Sequence, residues 1–462
     1  MPIVSHKSKI ENRKFKACLC LLIVGVWCLA AMSSCLLRGG PARKLETQNS
    51  KLKTVDGVSI FLTGNELGAL KPCGCSGGQL GGLDRRPAVF AGVPKQKRLI
   101  VDTGGLVKSD GEQDLIKFNI IMQAFGLLGY DLVNLTEKDM KMAQNLGLLS
   151  NPIVGFISPY GSGEKIAGRF QAQYLLNSEH ITISVLTFDV DASPIEQIRE
   201  VFPREPGQQS VNILIINRCD DAIISSIAKL GNVDCLVCPA ESDEPMIIGD
   251  SNRRPLVFSV GRFGRYVSRL QITQDGKKDR LKIGFSAIPV TDDLPQEKSL
   301  VELYKAYQQL VKDSNLLGKL GRFALPNGLK YTGSESCRLC HRAEYETCSD
   351  HAHAHAFSSL QRVGSQFDPE CVVCHTVGMK YESGFISGEK TAYLKNVGCE
   401  NCHGPGSEHI RTLGEAQTTE PKSQCLDCHT PEQSSHYAGN EQLYRKKIIH
   451  WWEPNACGDV KK

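Results

Sequence analysis

The sequence predicts two folds in one chain: an α/β layered domain over 56–290 and a mostly α domain over 331–462, joined by 291–330. Three observations predict this. Short apolar runs alternate with helical patterns through the first region. A compact motif, Cys-x-x-Cys-His, recurs four times between 337 and 429. The length, 462 residues, suits two or three domains. Hydrophobic residues at 41% with 23% charged residues make a globular mix that excludes wholesale disorder. A net charge of +4 is too small for nucleic-acid binding by electrostatics.

Residues 1–16 carry Lys7, Lys9, Arg13, Lys14 and Lys16 against Glu11, and 17–37 has no charge. A basic stretch before an apolar one is an export signal whose positive end stays in the cytoplasm. Three readings stand for 1–37. One is a cleaved signal peptide. Another is a retained anchor, since about 20 apolar residues span a bilayer. The third is a lipoprotein signal, with Met32-Ser-Ser-Cys35 as the lipidation box. All three place the rest of the chain on the periplasmic side of a bacterial membrane, tethered by anchor or lipid in the last two.

The apolar runs are Val58–Leu62, Arg98–Asp102, Asp131–Leu135, Ile181–Val185, Val211–Ile216, Asp234–Val237 and Pro255–Val260. Helical patterns fall between them, around Leu115–Leu128 and Ala222–Leu230. Buried strands alternating with helices predict a layered α/β fold. In the linker, Val301, Tyr304, Tyr307, Leu310 and Val311 recur at helical spacing within 299–315. They predict a helix that packs across the domain boundary and positions one part against the other.

The four motifs are Cys337/Cys340/His341, Cys371/Cys374/His375, Cys399/Cys402/His403 and Cys425/Cys428/His429. Two thiols at this spacing reach the two vinyl groups of one haem, and the following His ligates the iron. Zinc ribbons also use Cys-x-x-Cys but need no His after every second Cys. Four covalently bound haem c groups are therefore expected, and they fill the core of a mostly α, haem-packed cytochrome c domain. Outside the motifs, His351, His353, His355, His409, His436 and His450 lie in the same region and are candidates for the sixth ligand.

This region resembles the tetrahaem cytochromes c of the hydroxylamine-oxidation electron-transfer type, over about 331–452. The resemblance is carried by Tyr331-Thr-Gly-Ser-Glu-Ser-Cys337, His353-Ala-His355-Ala-Phe, Phe367-Asp-Pro-Glu-Cys371 and Val397-Gly-Cys399 through His403-Gly-Pro-Gly-Ser-Glu-His409. It implies His409 opposite His341, His353 opposite His403 and His450 opposite His429. It also implies an open iron at His375, because the second haem is five-coordinate in the type member. Two features depart from the family. Cys348 stands where Trp is usual, and His351 and His355 are extra, so either could close the second haem. Residues 331–462 hold 13 Lys and Arg against 17 Asp and Glu, a balance of −4 that haem propionates deepen. A basic redox protein is the expected docking partner.

The α/β region resembles the metallophosphoesterase domain of the 5′-nucleotidase type over about 56–290. The matching pieces are Gly81-Gly-Leu-Asp-Arg-Arg, Gly129-Tyr-Asp-Leu-Val-Asn and Gly261-Arg-Phe-Gly264-Arg-Tyr-Val-Ser-Arg-Leu270. The metal ligands of that family do not match. Their positions hold Glu66, Gly68, Gly105, Glu137-Lys138 and the segment Pro239-Ala-Glu241-Ser242. A dimetal site needs several carboxylates and imidazoles, so the expectation is a phosphoesterase-like scaffold that has lost it.

Cys73 and Cys75 form a Cys-x-Cys loop, and Cys219, Cys235 and Cys238 follow later in the region. One reading is a metal, Fe–S or redox-disulfide site joining Cys73 and Cys75 to some of these, with Cys235 and Cys238 as the leading partners. The other is structural disulfides or buried thiols, common in exported proteins. The Gly-rich 74–82 stretch is a weaker sign of an anion cradle. Taken together, the sequence predicts an exported multihaem electron carrier. A reductase or oxidoreductase of a small nitrogen or sulfur compound at an open iron is the alternative, and phosphoesterase activity is not expected.

Overall fold

The structure is a computed structural model that describes residues 57–450, apart from 73–77, 151, 161–167, 177–178, 203–208, 275–280, 422–423 and 435. The export segment 1–37 with Cys35, and the Cys73/Cys75 loop, lie outside the described residues. Among the described residues no helix is long and apolar enough to cross a membrane.

Among the described residues, twelve strands build two six-stranded sheets. They are β1 (Val58–Thr63), β2 (Arg98–Asp102), β3 (Leu132–Asn134), β4 (Gly155–Ile157), β5 (Arg169–Leu176), β6 (Glu179–Phe188), β7 (Gln209–Ile216), β8 (Cys235–Cys238), β9 (Met246–Ile247), β10 (Leu256–Ser259), β11 (Tyr266–Gln274) and β12 (Leu281–Pro289). The first sheet runs β12-β11-β1-β2-β3-β4 and the second β5-β6-β7-β8-β10-β9. β1, β2, β3 and β4 are mutually parallel, and β1 meets β11 antiparallel. All seven expected strands are present, with Ile181–Val185 forming the middle of the longer β6.

Side chains alternate across each strand, so one strand feeds two cores. Ile60, Leu62, Leu99 and Val101 of the first sheet meet Ile183, Val185, Ile213 and Phe258 of the second, forming the core between sheets. Phe61, Ile100 and Val133 point the other way, onto the helices Glu112–Leu128 and Lys298–Asp313. Leu186, Leu214 and Leu236 do the same on the second sheet, against Ile223 and Ile227 of the helix Asp221–Leu230. The result is a helix–sheet–sheet–helix sandwich. Burial on both faces explains why the parallel strands read as continuous apolar runs.

The linker helix runs Lys298–Asp313 and buries Leu300, Tyr307 and Val311. It packs along the helix Glu112–Leu128, on the outer face of the first sheet. The C-terminal part is helical, with short helices at Arg342–Ser349, Ala356–Val363, Pro369–His375, Cys399–His403, Ser407–Arg411 and Glu441–Lys446. Its side-chain core is small: Leu317, Phe357, Leu360, Val372, Val377, Met379, Phe385 and Leu394.

Candidate haem centres and the remodelled α/β site

The motif histidines fall at the ends of short helices or in tight turns. His375 closes the helix Pro369–His375, and His403 closes Cys399–His403. Pro369 at the first turn and Asp368 as N-cap start the former, the cap carboxylate accepting from Glu370 N at 2.9 Å.

Three motif histidines face a second imidazole. His341 stacks with His409 at 5.8 Å between ring centroids and 25° between planes. His353 lies 6.2 Å from His429, and His403 lies 6.2 Å from His450 at 88°. Two metal–imidazole bonds of about 2 Å each, one on either side of a single metal ion, put ring centroids about 6 Å apart, so these pairs fit one iron each. His409 Nδ1 donates to Ala416 O at 2.7 Å, His450 Nδ1 to Ile448 O at 2.9 Å and His375 Nδ1 to Ala356 O at 2.6 Å. Such bonds fix the tautomer and leave Nε2 for the metal. Burial lowers the pKa of His353, His403 and His429, which favours the neutral form that ligates.

His409 pairs with His341, as the resemblance implied. The other two assignments are exchanged. His353 faces His429 rather than His403, and His450 faces His403 rather than His429. The turn Ala352–His355 brings His353 beside the fourth motif, and Val397, just before the third, donates its N–H to His353 O. Sequence order cannot reveal which side of that junction the ring takes. His375 makes no ring pair with an imidazole among the described residues, and neither His351 nor His355 faces it. His355 is exposed and lines, with His375, His353, His429 and His436, a cavity of about 2120 Å³. Cys371, Cys374, Cys402, Cys425 and Cys428 line it too.

The attachment thiols sit in neighbouring pairs. Cys337 is hydrogen-bonded to Cys399, and Cys374 to Cys428, while Cys402 lies in the field of Cys425. Cys340 stands apart. It is exposed, whereas the other seven motif cysteines are partly buried, and it does not line the cavity. Cys340 N and His341 N both donate to Cys337 O, at 3.3 and 2.9 Å, and Leu339 is 91% exposed.

One residue that the motif search missed ties this arrangement together. Glu400, between Cys399 and Cys402, is buried, and its carboxylate accepts from Thr332 N (3.0 Å), Gly333 N (2.8 Å) and Gly406 N (2.7 Å). It knots the segment before the first motif to the Gly-Pro-Gly turn after the third. An acid inside the motif, followed by that turn, was the available signal.

In the α/β part, the expected ligand positions are filled by other contacts. Glu66 pairs with Arg86 at 2.5 Å, both side chains fully buried. Arg86 also donates to Tyr130 Oη, which bonds Thr63, whose hydroxyl reaches Asp102. Burial alone would lower the Arg86 pKa, but Glu66, then Tyr130 and Asp102, raise it. Asp102 is pushed up to about 8 by burial and then by Glu66. Gly264 makes room for the pair, because a Cβ there would meet Arg86 Nη2 and Glu66 Oε2, and its φ of +57° suits glycine. Gly105 N donates to Asp139, Glu137 pairs with Lys141 at the surface, and Lys138 donates to Lys108 O. Among the described residues no group of three His, Cys, Asp or Glu side chains is arranged to hold a metal ion.

Cys235 and Cys238 do not share a site, which corrects that expectation. They are three apart on β8, so a strand's two-residue period sends their thiols to opposite faces. Cys235 lies in the core between sheets, where burial pushes its thiol pKa up. Cys238 faces the helix layer and forms a disulfide with Cys219.

Comparison with known proteins matches these halves separately. Residues 336–404 match the family described as cytochrome c554 and c-prime. Cytochrome c-554 of Nitrosomonas europaea is 33% identical over 91 residues, 16% of this chain and 39% of that protein. The chain thus spans well under half the length of that relative. Among solved structures, the calcineurin-like phosphoesterase YfkN of Bacillus subtilis is similar at 12% identity and a TM-score of 0.42, over 55% of this chain and 97% of that one. A 5′-nucleotidase precursor of Thermus thermophilus is similar at 16% identity and a TM-score of 0.43, over 67% and 68%. With the motif histidines paired as described and residues 336–404 matched by that family, the C-terminal region is similar to the multihaem c-type cytochromes of the cytochrome c554 and c-prime kind.

Proposed function

We propose that the chain is an exported tetrahaem c-type cytochrome, tethered to the membrane, that passes electrons between redox proteins on the periplasmic side. The observation that carries this is the set of three imidazole pairs, each joining one motif His to a distant His at 5.8–6.2 Å. Bound haem supplies a one-electron Fe(III)/Fe(II) couple at each site. The protein's part is to hold the sites close and in order. The neighbouring thiols Cys337/Cys399, Cys402/Cys425 and Cys428/Cys374 support the order first, third, fourth, second. Paired neutral imidazoles keep six-coordinate iron with little rearrangement between oxidation states. The acidic balance of 331–462 favours a basic redox partner.

A second reading is reduction of a small nitrogen or sulfur oxyanion at the site of His375, where no imidazole faces the ring among the described residues and the cavity adjoins. Low-temperature EPR of the oxidised, haem-loaded protein, quantified for haem, separates the two. Four low-spin signals and four haems per chain establish the carrier and sink the reductase. A high-spin signal that nitrite or hydroxylamine abolishes puts the reductase first. Fewer than four haems overturns the tetrahaem assignment.

A further inference from the structure

The cytochrome module is joined to the α/β part by a polar cluster beside the second motif. Asp368 accepts from Tyr307 Oη at 2.8 Å and from Gln113 Nε2 at 2.8 Å. Lys117, one turn beyond Gln113 on the helix Glu112–Leu128, places Nζ 2.6 Å from Glu370. Its side chain is 5% exposed, whereas that of Glu370 is 47% exposed. Lys117 lies over Gly68, where a Cβ would sit 3.3 Å from Nζ. Glu370 directly precedes Cys371, and the same helix ends on His375. The carbonyl that orients His375, Ala356 O, starts a helix whose far end is held by Gln308 of the linker helix, through Val363 O at 2.6 Å and Ser365 Oγ at 3.0 Å. The attachment cysteines, the axial histidine and its orienting carbonyl therefore all hang from two helices of the α/β part.

We propose that Lys117 is a positioning residue of the α/β domain that raises the reduction potential of the second haem. The inference rests on the reading that Cys371, Cys374 and His375 carry that haem. A fixed positive charge beside an iron disfavours its ferric state and so raises its potential. The Glu370 carboxylate opposes this, but its side chain is 47% exposed and its field is screened, while that of Lys117 is 5% exposed. The α/β part also reaches the fourth motif, where Arg265 donates to Pro431 O and Glu432 O, but that guanidinium is already paired with Asp243.

The test uses the full-length, haem-loaded protein, titrated potentiometrically with EPR and visible spectra resolving the components. Lys117→Met is expected to shift one of four midpoints downward, and Lys117→Arg to return it. Glu370→Gln, which leaves the cation unopposed, is expected to shift the same midpoint upward. Opposite signs are the signature of charge, because a loosened helix would move both variants the same way. If Lys117→Met does not fold, Lys117→Gln, which keeps a polar side chain but loses the charge, is measured in its place with the same expected downward shift. Unchanged midpoints, equal shifts in all four, or shifts of one sign in both variants overturn the proposal. Haem content unchanged by Cys371→Ser/Cys374→Ser would instead show that the second motif carries no haem, a separate failure.

Discussion

The Arg86 guanidinium is bonded to the Glu66 carboxylate at 2.5 Å in a place where neither side chain touches solvent. Glu66 Oε1 and Arg86 Nε have no hydrogen-bond partner among the described residues. A buried pair so incompletely satisfied is costly to break and cheap to replace as a unit. Arg86→Met should destabilise the fold by about 3–5 kcal/mol, by stranding the carboxylate. Arg86→Met with Glu66→Leu should recover most of that loss. Urea denaturation followed by far-UV circular dichroism measures both, and a double variant no better than the single one would count against this account.

Asp102 gives the same cluster a pH dependence. Its carboxyl titrates near 8 in the fold, against 3.8 in the unfolded chain. Between these values the folded chain holds a proton that the unfolded chain has released. The stability contributed is complete below about pH 4 and is lost as pH rises through 8. The thermal midpoint should therefore fall across that window, and Asp102→Asn should flatten the fall. Equal slopes for the two proteins would remove Asp102 as the cause.

The pair His403/His450 is nearly perpendicular at 88°, while His341/His409 is closer to parallel at 25°. Perpendicular imidazole planes leave two d orbitals of low-spin ferric iron nearly degenerate, which produces a strongly anisotropic EPR signal. Near-parallel planes produce an ordinary rhombic one. His450→Met should abolish the anisotropic signal and His409→Met the rhombic one. Survival of every low-spin signal in His450→Met would refute the pairing with His403.

Glu400 holds three backbone N–H groups on one buried carboxylate. Hydrogen bonds to a charged group are worth about 1.5–3 kcal/mol each. Glu400→Ala should cost at least about 3 kcal/mol by this measure and broaden the EPR signals of the first and third haems together. Glu400→Gln, which keeps one acceptor, should fall between. A Glu400→Ala protein with wild-type stability and spectra would show the knot to be dispensable.

What was legible in the sequence follows from chemistry with a fixed spacing. Haem attachment demands Cys-x-x-Cys-His, so those twelve residues could be named outright. The strands were legible because burial on both faces leaves an uninterrupted apolar run, as in Val211–Ile216 within β7. Partner choice between distant histidines was not, because a turn such as Ala352–His355 directs its ring by a rotation that no spacing records. Between the two readings of Cys235 and Cys238, the strand itself favours the structural one. The same segment reads as a strand, and a strand places residues three apart on opposite sides. The Arg86/Glu66 pair was hidden for another reason. A Glu at a metal-ligand position reads as a poor ligand, and only the fold shows a guanidinium delivered to it from 20 residues away.

The Asp368 cluster bears on how such a chain could have been assembled in evolution. Its carboxylate takes hydrogen bonds from the helix Glu112–Leu128, from the linker helix and from its own helix. A cytochrome module grafted onto a different carrier would arrive with that acid stripped of two donors. The two halves are thus no longer interchangeable cassettes, and drift in Gln113 or Tyr307 is constrained by a residue some 60 or more positions away in the other half.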